Sequence, residues 1–372
     1  MRVMMLEPSG WGGIALYTHA LCSALVEQGV EVRLLNNAHR DDLSHLSRNY
    51  EVVPVVRGDA WGSEWRRLRQ QIDAWKPDIF HMQSVISSRR DMLAFLRHRL
   101  CTDSVQYILT VHNVLPHETA FLERSTFSWL YRLADGLVVH SEASLKGLYG
   151  LVPALKTPTA VIHHGHYGML SDPDLLREDA LKQLGLADFR YLACFGAIRP
   201  YKGVDWLLKA VAAVEVWPED MRVLVAGILL TGVTREELEG LRSDLGIEDR
   251  VIFQFKYFTE AEIPAVFAVA DAMLFSYKHI DQSGVMMASL AAGKPVICTP
   301  VGAFSEMIES SVGYISDAVS LDSFTASLAQ ALSHRDQWIE MGRNAAEKAE
   351  REYGWRSAAE KTVAFYRKVS RP

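Results

Sequence analysis

Residues 272–308 read AMLFSYKHIDQSGVMMASLAAGKPVICTPVGAFSEMI, and their reading decides the fold. Ala272 to Ser276 is a short apolar run of strand length, Val285 to Ala292 is apolar with small residues at helical spacing, and Pro295 to Thr299 is a second buried strand. Strand, helix and strand in that order form a βαβ unit. The turn after the first strand ends in Gln282-Ser283-Gly284, so the next helix opens with unpaired backbone N–H groups and the positive end of its dipole, which suits a phosphate. An ordinary serine cap with no ligand accounts for the same residues equally well.

A second stretch, Tyr191 to Gly203 (YLACFGAIRPYKG), is a strand followed by a loop holding Arg199 and Lys202, just ahead of an amphipathic helix from Val204 to Ala213. Two cations at the carboxyl end of a strand in an α/β sheet mark a place for an anionic ligand. The strand and helix alternation continues with Arg222 to Ala226 and Val251 to Phe255, which predicts a parallel sheet covered on both faces.

Working outward, 372 residues, about half of them apolar, are enough for two α/β domains of ordinary size. The net charge of −6 argues against non-specific nucleic-acid binding. Cys22, Cys101, Cys194 and Cys298 are scattered through apolar contexts without metal-ligand spacing, and read as reduced core residues of a cytoplasmic protein. The N-terminus reads as a strand and not a signal peptide, and no stretch reaches the roughly 20 apolar residues a spanning helix needs.

In the first half, Arg2 to Leu6 is a strand, and Gly10-Trp11-Gly12-Gly13 leads into a helix ending near Gln28. A dinucleotide-binding loop is the rival reading, but G-x-G-x-x-G is absent and no acidic residue ends the next strand, Glu31 to Leu35. Val52 to Val56 is the third strand. Trp65 to Trp75 is a helix carrying Arg66, Arg67 and Arg69; with Trp61 these form either a membrane-facing cluster or a solvated face beside packed tryptophans. Strands Ile79 to Met82 and Gln106 to Val111 run out into polar residues, His81 and Gln83 in one and His112-Asn113 in the other. Leu137 to Ser141 follows, and Val161 to Gly165 closes the first domain. Ser171 to Leu186 reads as a polar segment, and the chain from about Asp322 to Lys368 as helical.

Taken together, G-x-x-R-x-x-K-G at Gly196 to Gly203 and G-x-P-V-I-x-T-x-V-G-x-x-x-E at Gly293 to Glu306 resemble the family-4 group of GT-B glycosyltransferases, bacterial exopolysaccharide and lipopolysaccharide enzymes among them. The resemblance runs along nearly the whole chain. It implies an α/β fold of two Rossmann-like domains with parallel sheets facing a central cleft. Residues 1–165 would be the acceptor side, 166–350 would bind the nucleotide-sugar, and 351–372 would be a helix crossing back to the first domain.

By the same resemblance, Arg199 and Lys202 would neutralise the departing diphosphate, assisted by N–H groups around Ser283, Gly284 and Val285. Gly196, Gln282 and Glu306 would join them at the donor, and the Gly12-Gly13 loop would lie beside the diphosphate or the acceptor. Leu109 to Asn113 resembles the strand-end histidine segment that places His112 beside the transferred sugar. The co-substrate would be a UDP- or GDP-linked sugar with no metal required, although His163, His164 and His166 leave metal binding as an alternative. The acceptor would be a glycan or lipid-linked glycan, and the product would retain the anomeric configuration.

The chain departs from the family at one motif. The usual pair of glutamates eight positions apart is missing: anchoring on Gly284 puts Asp281 and Ser289 in their places, and anchoring on Gly293 puts Ile280 and Ala288 there. Asp281 with Gln282 is the candidate replacement at the sugar. An inverting branch, with Glu7, His112 or Glu118 as base, is the alternative enzyme reading. A sugar-nucleotide epimerase of the same fold is a further enzyme rival, and a non-catalytic sugar-nucleotide-binding scaffold is the reading from another class. Retention of Arg199, Lys202 and Glu306 counts against an inactive domain, on the expectation that the cations are buried. Residues 1–150 hold 16 basic and 16 acidic residues, so this half is neutral, and Arg66, Arg67, Arg69, Arg89, Arg90, Arg97 and Arg99 make it the candidate for peripheral contact with an anionic membrane.

Overall fold

The computed structural model describes residues 1–57, 62–83, 105–114 and 121–370. Trp61, Arg89, Arg90, Arg97, Arg99, Cys101 and Glu118 lie outside the described residues. The chain divides into two compact units, Met1–Gly165 with the segment from Gly354 onward, and His166–Tyr353.

The first unit runs β1 (Arg2–Leu6), α1 (Gly12–Glu27), β2 (Glu31–Asn37), β3 (Glu51–Val56), α2 (Gly62–Trp75), β4 (Ile79–Met82), β5 (Gln106–Thr110), α3 (Phe121–Leu133), β6 (Gly136–Val139), α4 (Glu142–Leu151) and β7 (Thr159–Val161). The second runs α5 (Arg177–Leu184), β8 (Arg190–Phe195), α6 (Val204–Ala213), β9 (Met221–Ala226), α7 (Arg235–Asp244), β10 (Val251–Gln254), α8 (Ile263–Val269), β11 (Ala270–Phe275), α9 (Gly284–Ala291), β12 (Val296–Cys298), α10 (Phe304–Met307), β13 (Gly313–Ile315), α11 (Leu321–Ser333) and α12 (Trp338–Tyr353). The last helix, α13 (Trp355–Val369), belongs to the first unit and packs on α1.

Both sheets are parallel throughout, ordered β3-β2-β1-β4-β5-β6-β7 and β10-β9-β8-β11-β12-β13. The inner strands are continuous apolar runs buried on both faces, as helical cover on two sides requires: β4, β5 and β6 have no exposed residue. In each sheet the order reverses once, between β1 and β4 in the first and between β8 and β11 in the second. The crevice outside the carboxyl ends of the strands at such a reversal is where an α/β sheet binds its ligand.

Three expectations gain detail. The segment Ser171 to Leu186 is not simply a polar linker: it contains α5, which buries Ala180, Leu181 and Leu184 and ends at Gly185. Its charged residues take the outer face, which is why composition alone conceals the helix. Trp65 is packed, as the second of its two readings has it. It lies in the core of the first unit with Leu68 and Ile72, positions three and seven residues on along one helix face, while Arg66 and Arg69 point outward. The helical C-terminal stretch is three helices, broken by a tight turn at Arg335–Gln337 and again at Gly354. Among the described residues no helix is long and apolar enough to cross a membrane.

Candidate functional site

In the second unit the loops after β8 and β11 meet at the point where strand order reverses. Lys202 reaches back along its own loop, and Nζ donates to the Phe195 carbonyl at 2.9 Å. The ammonium lies 5.4 Å from the centre of the Tyr277 ring, and burial lowers its pKa to about 8. A Cβ on Gly196, whose φ is +99°, would stand 3.0 Å from Nζ and 3.1 Å from Val285 Cγ2. Gly196, Lys202 and Val285 therefore converge, and the glycine leaves the loop backbone bare beside the cation. Ser276 Oγ donates to the carbonyls of Lys202 and Gly203, tying this loop to the end of β11.

The loop from Tyr277 to Ser283 is held from beneath. Thr299 Oγ1 donates to the Tyr277 carbonyl, the Ala303 N–H donates to the Asp281 carbonyl at 3.1 Å, and the Phe304 ring packs 5.7 Å from that of Tyr277. Ser283 caps α9 by accepting from the Met286 N–H at 3.3 Å. The serine thus performs the ordinary capping role while Gly284 and Val285 begin the helix beside Lys202. Asp281 and Gln282 are half-buried in this loop, and Glu306 is exposed on α10.

One expectation about charge is corrected. Lys202 is buried but Arg199, three residues earlier, is exposed, because the tight turn at Pro200–Lys202 sends the two side chains in different directions. Of the two only Lys202 is buried, and among the described residues neither it nor Arg199 forms an ion pair. Ser289 and Ala288 are both fully buried, and Ser289 Oγ donates to the Val285 carbonyl, so neither substitutes for an exposed carboxylate.

In the first unit the corresponding reversal brings the ends of β1 and β4 together. Glu7 is buried, and its carboxylate accepts from the N–H groups of Ser9 (3.0 Å) and Gly10 (2.8 Å) and from the Ser9 hydroxyl. Glu7 thus anchors the loop that follows β1. Gly10 sits at φ +70° with the Arg40 carbonyl oxygen 1.9 Å from where a Cβ would be, so only glycine fits. Gly12 and Gly13 open α1, with nothing within 4 Å on their Cβ side and no side-chain cap from Trp11.

His112 lies half-buried past the end of β5, inside a cluster that sequence reading saw only as separate strand ends. Its Nε2 is 3.1 Å from Gln83 Oε1 and its Nδ1 is 3.2 Å from His140 Nε2. His140 Nδ1 is 2.9 Å from the Ile162 carbonyl, and His81 joins the Tyr366 hydroxyl (2.5 Å) and Thr110 Oγ1 (2.7 Å). Tyr17 packs against His112 and His164 at 4.8 Å and against His140 at 5.1 Å. Burial holds all four imidazoles neutral: it pushes His81 and His164 down to about 3, His140 to about 4, and His112 well below the usual range. The three histidines offered as an alternative metal set are turned to separate partners, His163 to the His140 carbonyl, His164 to the Gly165 carbonyl and His166 to Glu350. Among the described residues no group of three or more such side chains could hold a metal ion.

Residues 190–334 match the family model described as glycosyl transferases group 1, and residues 11–166 match the one described as glycosyltransferase family 4. A D-inositol 3-phosphate glycosyltransferase of Corynebacterium glutamicum is 24% identical over 388 residues, covering 95% of this chain and 91% of its own. The lipopolysaccharide core biosynthesis mannosyltransferase LpsB of Rhizobium meliloti is 25% identical over 224 residues, 58% of this chain and 63% of its own. Among solved structures, Anabaena Alr3699/HepE in complex with UDP-glucose superposes with a TM-score of 0.79 at 18% identity, covering 99% of this chain and all of that one.

Proposed function

The chain belongs to the family-4 glycosyltransferases of GT-B fold, and from that premise we propose that it moves a sugar from a nucleotide-diphosphate-sugar to a hydroxyl of a glycan or lipid-linked glycan acceptor, with retention. The observation that carries this is Lys202. A buried ammonium with no ion-pair partner among the described residues, set at the strand-order reversal beside Gly196 and Val285, calls for an anion, and a diphosphate is the anion this reaction releases.

In the proposed reaction the bond from the anomeric carbon to the diphosphate oxygen breaks, and the bond to the acceptor oxygen forms on the same face. The acceptor proton passes to the departing phosphate. Lys202 and the exposed Arg199 supply the positive charge that stabilises the leaving group, with the backbone at Ser283, Gly284 and Val285 as further donors and no metal required. Asp281 and Gln282 would face the sugar, Glu306 the donor, and Gly12 and Gly13 the diphosphate or acceptor. Glu7, one of the three candidate bases for inversion, is engaged by its own loop, and this favours retention. The relatives, an inositol phosphate glycosyltransferase and a lipopolysaccharide core mannosyltransferase, support a polyhydroxylated acceptor in surface glycan or glycolipid assembly.

A panel of UDP- and GDP-sugars, assayed for nucleoside diphosphate release with and without added glycans, tests the proposal. Release from one donor, stimulated by an acceptor, is the expected result. An isomerised donor would establish an epimerase, and binding without release would establish a scaffold.

A further inference from the structure

The motif that begins at Gly293 carries a cation the transfer reaction does not use. Lys294 stands just ahead of β12, at the amino end of that strand, whereas Lys202 is held at the carboxyl end of β8. Six residues of strand span about 20 Å, so the two ammonium groups lie at opposite edges of the second sheet. On the amino-end side, α5, α8, the end of α9 and α12 surround an open cavity of about 540 Å³, lined among others by Arg177, Phe267, Ala291 and Lys294.

Three cations gather there around one carboxylate. Asp271 accepts from Arg190 Nε at 3.1 Å and from the Tyr191 N–H at 2.8 Å, and Arg177 Nη2 stands 3.9 Å from it. The Arg177 guanidinium also donates to the carbonyls of Val269 and Phe189, which fix its direction and leave its charge in place. Lys294 is within electrostatic reach of Asp271 and Arg177, yet among the described residues its ammonium forms no ion pair and no hydrogen bond. Burial lowers its pKa in spite of Asp271. Arg177, Arg190 and Lys294 set against Asp271 leave an excess of positive charge, and Arg177 and Lys294 both line the cavity. A half-buried ammonium without a partner has lost hydration and gained no counter-charge, so an anion entering the cavity is stabilised.

The remaining wall narrows the class of anion. Asp172 and Glu350 also line the cavity and are exposed, with His166 Nε2 3.2 Å from the Glu350 carboxylate. Carboxylates accept from hydroxyl groups and repel a second anionic group.

We propose that this cavity is a second ligand site, separate from the donor cradle, that takes a small phosphorylated sugar or polyol, with Lys294 and Arg177 holding the phosphate and Asp172 and Glu350 accepting from its hydroxyl groups.

Equilibrium dialysis of the full chain against radiolabelled inorganic phosphate and against a hexose 6-phosphate, at fixed ionic strength, tests the proposal. Saturable uptake is expected in the parent and in K202M, which lacks the cation at the other edge of the sheet. K294M and K294Q are expected to weaken binding roughly tenfold or more, alone and with K202M as the starting chain, while K294R stays near the parent. Circular dichroism verifies each fold, and two neutral variants keep the result readable if one of them fails to fold. The hexose phosphate is expected to bind more tightly than inorganic phosphate. No saturable uptake by the parent, parental binding in the neutral variants, or loss in K202M with retention in K294M overturns the site. A hexose phosphate bound no more tightly than inorganic phosphate overturns the hydroxyl contacts.

Discussion

The Lys202 ammonium donates to the carbonyl oxygen of Phe195 at 2.9 Å, closing the loop between them on itself. The bond holds the cation at the carboxyl end of β8 without neutralising it, since a carbonyl satisfies a proton and leaves the charge in place. Burial lowers its pKa to about 8, well inside the range of solution experiments.

A pH dependence follows. The ammonium form is the one that attracts a diphosphate, and it is lost as pH rises through about 8. The KM for the donor is expected to climb above that pH, and K202R, whose guanidinium does not titrate there, to flatten the climb. An equally steep rise in K202R would assign the titration to another group.

Acid lability is expected from the histidine cluster. His81, His164 and His140 titrate near 3, 3 and 4 in the folded chain, against an ordinary 6.5 when unfolded. Below pH 6.5 the unfolded chain binds protons that the folded chain refuses, so stability falls as pH drops from there toward 4, by ~1 kcal/mol per pH unit for each group. Denaturant midpoints measured across this window should decline steeply, and less so in H164F.

G10A should disrupt the loop after β1. The new Cβ would meet the Arg40 carbonyl at 1.9 Å in a left-handed backbone conformation, so a loss on the order of 1–3 kcal/mol or more is expected. Thermal unfolding of G10A against G12A separates fit from flexibility, because Gly12 has open space on its Cβ side.

W65A is expected to cost ~3–5 kcal/mol, as removal of a buried tryptophan does. Denaturant titration reads the loss directly. Should the first unit bind anionic vesicles, the exposed Arg66 and Arg69 are the residues whose replacement reduces flotation.

The loops after β8 and β11, which the structure brings together, were legible in the sequence as strand ends punctuated by glycine, where local pattern is enough. The histidine cluster was not. His81, Thr110, His112, His140 and Tyr366 come together only through the strand order β4-β5-β6 and the return of α13, and no local spacing encodes that. The same limit explains Arg199 and Lys202, a few residues apart yet opposite in exposure. For Trp65 the sequence left two readings open, and the stripe of Trp65, Leu68 and Ile72 along one helix face is the pattern that favours the packed one.

The most direct test of the leaving-group role is the single-turnover rate of donor cleavage in R199A and K202A, with folding verified by circular dichroism. Rates lower than the parent by orders of magnitude in both variants, with secondary structure unchanged, are the expected result. Parental rates in both would contradict it, and would remove the diphosphate from the cradle formed by Gly196, Lys202 and Val285.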